Sequence, residues 1–156
     1  MNILEDCTLC PRNCHVNRLA GKTGYCKQTS ELKVARASLH FWEEPCLSGT
    51  SGSGTVFFSG CSLGCAYCQN YSISTGMQGK KITSERLADI FLELQHQQAC
   101  NVNLVTPTHF VPQIIKAIEL SRAKGLHIPV AYNTSGYETI ETVKQLEGYV
   151  DVYLPD

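Results

Sequence analysis

The sequence predicts an α/β fold in which strands and helices alternate and form part of a parallel (β/α) barrel. An apolar run at residues 55–58 predicts the first strand of this barrel. Apolar residues then recur at helical spacing twice, from Leu87 to Leu94 and from Val111 to Ile118. Further strand-like runs follow these helices, and repeated βα units favour parallel strands with right-handed crossovers.

The composition indicates one globular domain without an affinity for nucleic acid. The chain has 156 residues, 43% of them hydrophobic, and a net charge of −1. No apolar run approaches the roughly 18 residues of a membrane span, and the N-terminus lacks the features of a signal peptide. We therefore expect no membrane association and a cytoplasmic location. Nine cysteines in a reducing compartment indicate metal binding rather than disulfides.

The N-terminal part precedes the barrel. Residues 35–41 alternate apolar and polar side chains, which predicts a half-buried strand. Trp42 is expected to pack, and residues 48–54 form a loop rich in Gly and Ser. We expect two parts, a Cys-rich segment at residues 1–50 and the first part of the barrel at residues 51–156.

The barrel elements follow in order. Ser84 is the expected N-cap of the first helix, with Glu85 in its first turn. The second helix is expected to end at Gly125, and the third carries its apolar residues at positions 140, 143 and 146. Strands are expected at residues 102–106, 129–132 and 150–154. Four strands and three helices make an incomplete barrel, so the sequence reads as a truncated relative of a longer protein.

Three cysteines follow the first barrel strand directly. Cys61, Cys65 and Cys68 have the spacing C-x3-C-x2-C, and an aromatic residue, Tyr67, precedes the last of them. Three thiolates on a short loop can hold three corners of a 4Fe–4S cluster and leave one iron open to a further ligand. A zinc-binding or disulfide-bonded loop is the alternative.

Four more cysteines lie near the N-terminus. Cys7, Cys10, Cys14 and Cys26 are separated by Pro and Gly residues that allow the chain to turn around one centre. Four thiolates make a closed site, which is typical of structural zinc or of a second iron–sulfur cluster. The sequence does not decide between the two metals. His15 could replace one ligand.

The cluster loop resembles that of the radical S-adenosylmethionine (radical SAM) superfamily. The Cys-x-x-Cys-Pro-Arg-x-Cys segment from Cys7, the His-Phe-x-Glu-Glu-Pro run from His40 and the segment at residues 52–61 resemble one branch. That branch is related to the pyruvate formate-lyase activating enzyme. The resemblance implies a (β/α)6 partial barrel and a 4Fe–4S cluster that binds S-adenosylmethionine. It also implies reductive cleavage of this cofactor to a 5′-deoxyadenosyl radical, which abstracts hydrogen.

The resemblance also places candidate cofactor contacts at the carboxyl ends of the strands. They are Tyr67, Thr106, Thr108, Asn133 and Ser135. Each could equally be an ordinary polar or loop residue. No side chain is assigned a catalytic role.

Two functional hypotheses follow. The first is a radical SAM enzyme of the oxidoreductase type, with a protein or peptide substrate and a cytosolic electron donor. The second is a non-catalytic iron–sulfur or zinc module for electron transfer. The order of the motifs, with three cysteines directly after a strand and within βα units, favours the enzyme.

Overall fold

The structure is a computed structural model that describes residues 2–75 and 77–155. Within this part of the chain, six strands form one sheet. They are β1 (Lys33–His40), β2 (Ser53–Phe58), β3 (Lys80–Lys81), β4 (Val102–Val105), β5 (Val130–Thr134) and β6 (Val152–Pro155). The strand order in the sheet is β3-β1-β2-β4-β5-β6.

The sheet is mostly parallel and does not close on itself. Strands β2, β4, β5 and β6 run parallel to one another, whereas β1 is antiparallel to both β2 and β3. Phe57 pairs with Val105, and Val105 pairs with Asn133, so the carboxyl ends of these strands meet at one edge. The predicted α/β fold with a partial parallel barrel is confirmed. The division at residue 50 stays a prediction, although β1 belongs to the same sheet as β2.

The helices alternate with the parallel strands. They are α1 (Pro45–Ser48), α2 (Tyr71–Ser74), α3 (Ser84–His96), α4 (Val111–Ala123) and α5 (Ile140–Gln145), with a 3-10 turn at Thr108–Phe110. Helix α3 begins at Ser84, one residue earlier than predicted, because its N-cap is Thr83, whose side chain accepts the hydrogen bond from the amide of Arg86. Among the described residues, no helix combines the length and apolar character that crossing a membrane requires.

The core lies between the sheet and the helices α3 and α4. Alternate strand residues such as Val56, Leu104 and Val130 contact Phe91 and Ile114, and all of these are fully buried. A smaller buried cluster joins the N-terminal segment to the barrel. Its members are Leu4, Cys7, Leu9, Val111, Tyr132 and Leu146. The Cys-rich segment is therefore packed onto the barrel.

Four predicted packing positions are wrong. Trp42 is 90% exposed and Phe41 is 55% exposed, because pairing in β1 ends at His40 and the chain leaves the sheet there. In α5, Ile140 is 70% exposed and Val143 is 41% exposed, since this helix of six residues is too short to present a full apolar face. Of the three apolar residues predicted to pack here, only Leu146, which follows the helix, is fully buried.

Candidate functional site

The cluster loop begins where β2 ends. The amide of Ser59 still donates to the carbonyl of Lys33, at 3.0 Å, and the amide of Gly60 donates to Ile73 at 3.1 Å. Gly60 has a φ of +84°, a conformation that favours glycine, and this turn delivers Cys61 beyond the sheet. Because β2 lies between β1 and β4, the loop starts near the middle of the carboxyl edge.

The three predicted cluster cysteines are free thiols on this loop. The amide of Leu63 donates to the sulfur of Cys61, and the hydroxyl of Ser74 donates to the sulfur of Cys68, both at 3.3 Å. Such donors stabilise a thiolate and are the contacts that tune an iron–sulfur cluster. Cys65 is exposed. Three thiols on one loop are the number and type of ligand that a 4Fe–4S cluster with one open iron takes, and their role as ligands stays a prediction.

A cavity of about 480 Å³ lies beside these cysteines. Its volume is within the range of about 300–1,000 Å³ that small-molecule sites occupy. Cys61 and Cys65 line it from one side, and Tyr25 and Lys27 of the N-terminal segment line it from another. The space next to the cluster loop is therefore large enough for a small organic cofactor.

The four N-terminal cysteines are neighbours. Burial raises the pKa of the Cys10 thiol, and the nearby thiols of Cys26, Cys14 and Cys7 raise it further. Burial likewise raises the pKa of Cys26, against which a backbone hydrogen bond and the charge of Arg18 act. The four thiols are therefore near enough to interact electrostatically, whereas a shared metal centre stays a prediction.

Neither set is arranged around a metal ion. In the part of the chain that the structure describes, no group of three or more His, Cys, Asp or Glu side chains could hold one. His15, the alternative ligand, contacts Asp6 at 2.8 Å. Both ligand sets, and the choice between zinc and iron–sulfur for the second, stay predictions. Metal binding is commonly coupled to local folding, so the thiols are expected to adjust on binding.

The N-terminal segment holds the cluster loop through contacts that sequence reasoning missed. The guanidinium of Arg12 donates to the carbonyls of Ser62 and Leu63 at 2.9 and 3.1 Å. The same group lies 3.7 Å from the ring centre of Tyr25, whose hydroxyl donates to Leu63 at 3.3 Å. The Arg within the Cys-Pro-Arg-x-Cys segment was the available signal, but its partners lie about fifty residues away.

At Gly60 the two cysteine segments touch. A Cβ added there would stand 2.6 Å from the carbonyl oxygen of Cys26 and 2.7 Å from the side-chain amide of Gln28. Distances below 3 Å do not occur for real Cβ atoms, so only glycine fits without a shift of its neighbours. The backbone of Cys26 therefore lies directly against the residue before Cys61.

The predicted cofactor contacts lie at two places. Thr106 and Asn133 are adjacent, since the amide of Thr106 donates to the carbonyl of Asn133 at 3.0 Å. Thr106 is also one of few non-glycine residues with a positive φ, +56°. Tyr67, by contrast, lies on the cluster loop with its side chain 99% exposed. Their roles stay predictions.

The other two predicted cofactor contacts, Thr108 and Ser135, differ in exposure and in side-chain hydrogen bonding. The hydroxyl of Thr108 donates to the carboxylate of Glu138 at 2.7 Å, and Thr134 donates to the same oxygen. Ser135 is exposed. Glu138 thus connects the end of β5 with the turn before α4 through hydrogen bonds. Sequence reasoning missed this role, because the contact joins residues of different elements.

His109 is buried behind the cluster loop. Its Nε2 lies 2.7 Å from the carbonyl of Ser59. Because a carbonyl only accepts, Nε2 carries the proton. Burial lowers the pKa of His109 to about 4, although the bond to Ser59 opposes this. The neutral imidazole therefore holds the start of the cluster loop in place through its hydrogen bond to Ser59.

Two comparisons with known proteins identify relatives. The model of the radical SAM superfamily matches residues 55–155, which include all of the cluster loop. The "Uncharacterized protein MJ0674" of Methanocaldococcus jannaschii is 34% identical over 164 aligned positions. That alignment covers 99% of this chain but 46% of the relative, so the chain spans about half of the relative's length. No solved structure matches significantly.

Proposed function

The chain belongs to the radical SAM superfamily, and from this membership we propose that it binds a 4Fe–4S cluster and cleaves S-adenosylmethionine reductively. Cys61, Cys65 and Cys68 are the proposed cluster ligands. When bound, the reduced cluster supplies one electron that breaks a carbon–sulfur bond of the sulfonium cofactor.

The observation that carries this proposal is the position of the three free thiols. They follow a parallel strand, on one loop, beside a cavity of about 480 Å³. The amide of Leu63 and the hydroxyl of Ser74 already donate to the sulfurs of Cys61 and Cys68, and donors of this kind surround the cysteine sulfurs of iron–sulfur clusters. Thr106 and Asn133, at the ends of the two neighbouring strands, are proposed to orient the cofactor.

We further propose a protein or peptide substrate, from which hydrogen is abstracted at an unactivated carbon. Support comes from the resemblance to activating enzymes of the pyruvate formate-lyase type and from the surface position of the loop. Cys65 is exposed and Tyr67 is 99% exposed, so the loop is accessible to a macromolecule. A one-electron protein donor is proposed to reach the same surface.

The test is anaerobic reconstitution followed by a product assay for 5′-deoxyadenosine. The wild-type chain is expected to release this product in the presence of a strong one-electron reductant, and Cys65→Ala is not. Cys46→Ala is the matched control, because Cys46 is exposed and belongs to neither ligand set. Cluster formation without any cofactor cleavage would favour the electron-transfer module instead.

A further inference from the structure

The cavity beside the cluster loop is lined by three segments of the chain. Tyr25 and Lys27 belong to the N-terminal segment, Cys61 and Cys65 to the cluster loop, and Tyr71 to α2. None of the residues predicted to contact the cofactor from the strand ends is among the described residues that line it. These are Thr106, Thr108, Asn133 and Ser135. The cavity is therefore bounded by groups that the proposed cofactor contacts leave unused.

The segments around this cavity lack acidic residues, although the net charge of the chain is −1. Residues 7–30 contain lysines and arginines but no aspartate or glutamate, and residues 46–79 contain none of these four residue types. The basic residues are Arg12, Arg18, Lys22 and Lys27. Of these, Lys27 lines the cavity. An anionic group that enters the cavity therefore meets a cation and no carboxylate from the described lining residues.

Lys27 has no acidic partner within the part of the chain that the structure describes. The residue is exposed, and its φ of +58° is a left-handed conformation that lysine seldom adopts. The amide of Lys27 donates to the carbonyl of Gly24 at 3.0 Å and closes a turn. A Cβ on Gly24 would stand 2.6 Å from the sulfur of Cys14, so the turn is packed closely. The fold thus fixes the backbone that places an unpaired ammonium group at the cavity.

Two exposed tyrosines line the same cavity. Tyr25 is 48% exposed and Tyr71 is 60% exposed. The guanidinium of Arg12, which also forms no ion pair among the described residues, lies 3.7 Å from the ring centre of Tyr25. Tyrosine and arginine are enriched where proteins bind other chains, because a tyrosine ring supplies a large contact area at a low cost in side-chain entropy. The rim of the cavity therefore has the composition of a peptide-binding surface.

We propose that this cavity binds an acidic segment of a peptide or protein and that Lys27 pairs with one of its carboxylates. Tyr25 and Tyr71 pack against the residues that flank this carboxylate. Charge complementarity favours an acidic ligand over a basic or neutral one. The exposed rings favour a chain that continues beyond the cavity over a free small carboxylate. That the bound segment is the substrate rests on the proposed function, whereas its binding does not.

The test is peptide binding to the full chain, handled anaerobically so that its thiols stay reduced, and measured by fluorescence anisotropy. The probe is a short peptide of alternating glycine and aspartate that has an amidated C-terminus and an uncharged fluorophore. Its counterpart has asparagine at each aspartate position. We expect the aspartate peptide to bind more tightly than the asparagine peptide. This difference should shrink as the ionic strength rises, since salt screens exposed charges.

Substitution of Lys27 locates the binding site. Lys27→Gln is expected to weaken binding of the aspartate peptide about two- to fivefold, which is the range that exposed ion pairs give. Lys27→Arg keeps the charge and is expected to keep the affinity. Lys22→Gln is the matched control, because Lys22 is an exposed lysine of the same segment that does not line the cavity. It removes the same charge at another place and is expected to bind like the wild type.

Three results overturn the proposal. The first is an equal affinity of the wild type for the aspartate and asparagine peptides, a comparison that needs no variant. The second is an equal loss of affinity in Lys27→Gln and Lys22→Gln, which would show general attraction to a basic segment. The third is N-acetylaspartate amide that binds as tightly as the aspartate peptide, which would show a small-molecule site instead.

The peptide site and the proposed function fail in different ways. Release of 5′-deoxyadenosine is assayed separately, on reconstituted samples of the same chain. Peptide binding that depends on Lys27, in a chain that releases no 5′-deoxyadenosine, supports the peptide site and contradicts the proposed function. Release of 5′-deoxyadenosine by a chain that does not distinguish the two peptides contradicts the peptide site alone.

Discussion

Replacing Gly60 by Ala tests whether the N-terminal segment holds the cluster loop. Gly60 adopts a φ of +84°, and an added Cβ would meet the carbonyl oxygen of Cys26 at 2.6 Å. It would also meet the side-chain amide of Gln28, which is buried and donates to the sulfur of Met77 at 3.2 Å. Neither neighbour can move without breaking other contacts.

The expected cost has two parts. A left-handed conformation costs a residue with a Cβ about 1–2 kcal/mol. Forcing an additional carbon into a packed site costs about 1–3 kcal/mol more. We therefore expect Gly60→Ala to lower the free energy of unfolding by about 2–5 kcal/mol. Gly148→Ala is the matched control, since Gly148 has a φ of +79° but nothing within 4 Å of an added Cβ.

Urea unfolding of the two variants, followed by circular dichroism, measures the difference. The structure predicts that Gly60→Ala is destabilised by at least about 1 kcal/mol more than Gly148→Ala. It also predicts a smaller iron content for Gly60→Ala after reconstitution. Equal stabilities of the two variants would refute the contact between Cys26 and the cluster loop.

Three further predictions concern stability. Burial lowers the pKa of His109 from 6.5 to about 4. As the pH falls from 6.5 to 4, the histidine is therefore protonated in the unfolded chain but not in the folded one. The folded protein loses about 3 kcal/mol of stability over this range. Urea unfolding across this range should show a weaker pH dependence in His109→Gln, and an unchanged dependence would contradict the assignment. Both amide atoms of the buried Asn103 lack a partner among the described residues, so thermal unfolding of Asn103→Leu should show equal or higher stability. Asn101→Leu loses the hydrogen bonds to Ser53 and Leu47, so its free energy of unfolding should fall by about 1–3 kcal/mol. A variant Asn103→Leu that is less stable than Asn101→Leu would contradict these hydrogen-bond assignments. Thr83→Ala removes the N-cap of α3, so urea unfolding should show a free energy of unfolding lower by about 1 kcal/mol. An unchanged stability would contradict the assignment of Thr83 as the N-cap and favour Ser84.

The sequence predicts the barrel elements well because their signals are local. Apolar spacing identified α3 and α4, and short apolar runs identified β2, β4 and β5. The cap of α3 was misplaced by one residue because Thr83 and Ser84 are both good N-cap types. Strand β3 has only two residues and leaves no periodic pattern to detect.

The surroundings of the site were less predictable because they depend on long-range contacts. Arg18 is a charged residue in a polar segment, and nothing near it in sequence indicates complete burial against His109. Arg12 contacts a loop about fifty residues away. The motif of three cysteines, in contrast, could be recognised from its spacing alone, because ligands on one loop lie close together in the sequence, and their binding of a cluster stays a prediction.

Electron paramagnetic resonance of the reduced, reconstituted chain tests the central claim most directly. If Cys61, Cys65 and Cys68 hold a cluster with one open iron, S-adenosylmethionine should change the spectrum of the wild type, because it binds that iron. The change should be absent when any of these three residues is replaced by Ala and should persist in Cys46→Ala. A wild-type spectrum that S-adenosylmethionine leaves unaltered, or a change that survives in all three variants, would contradict the account.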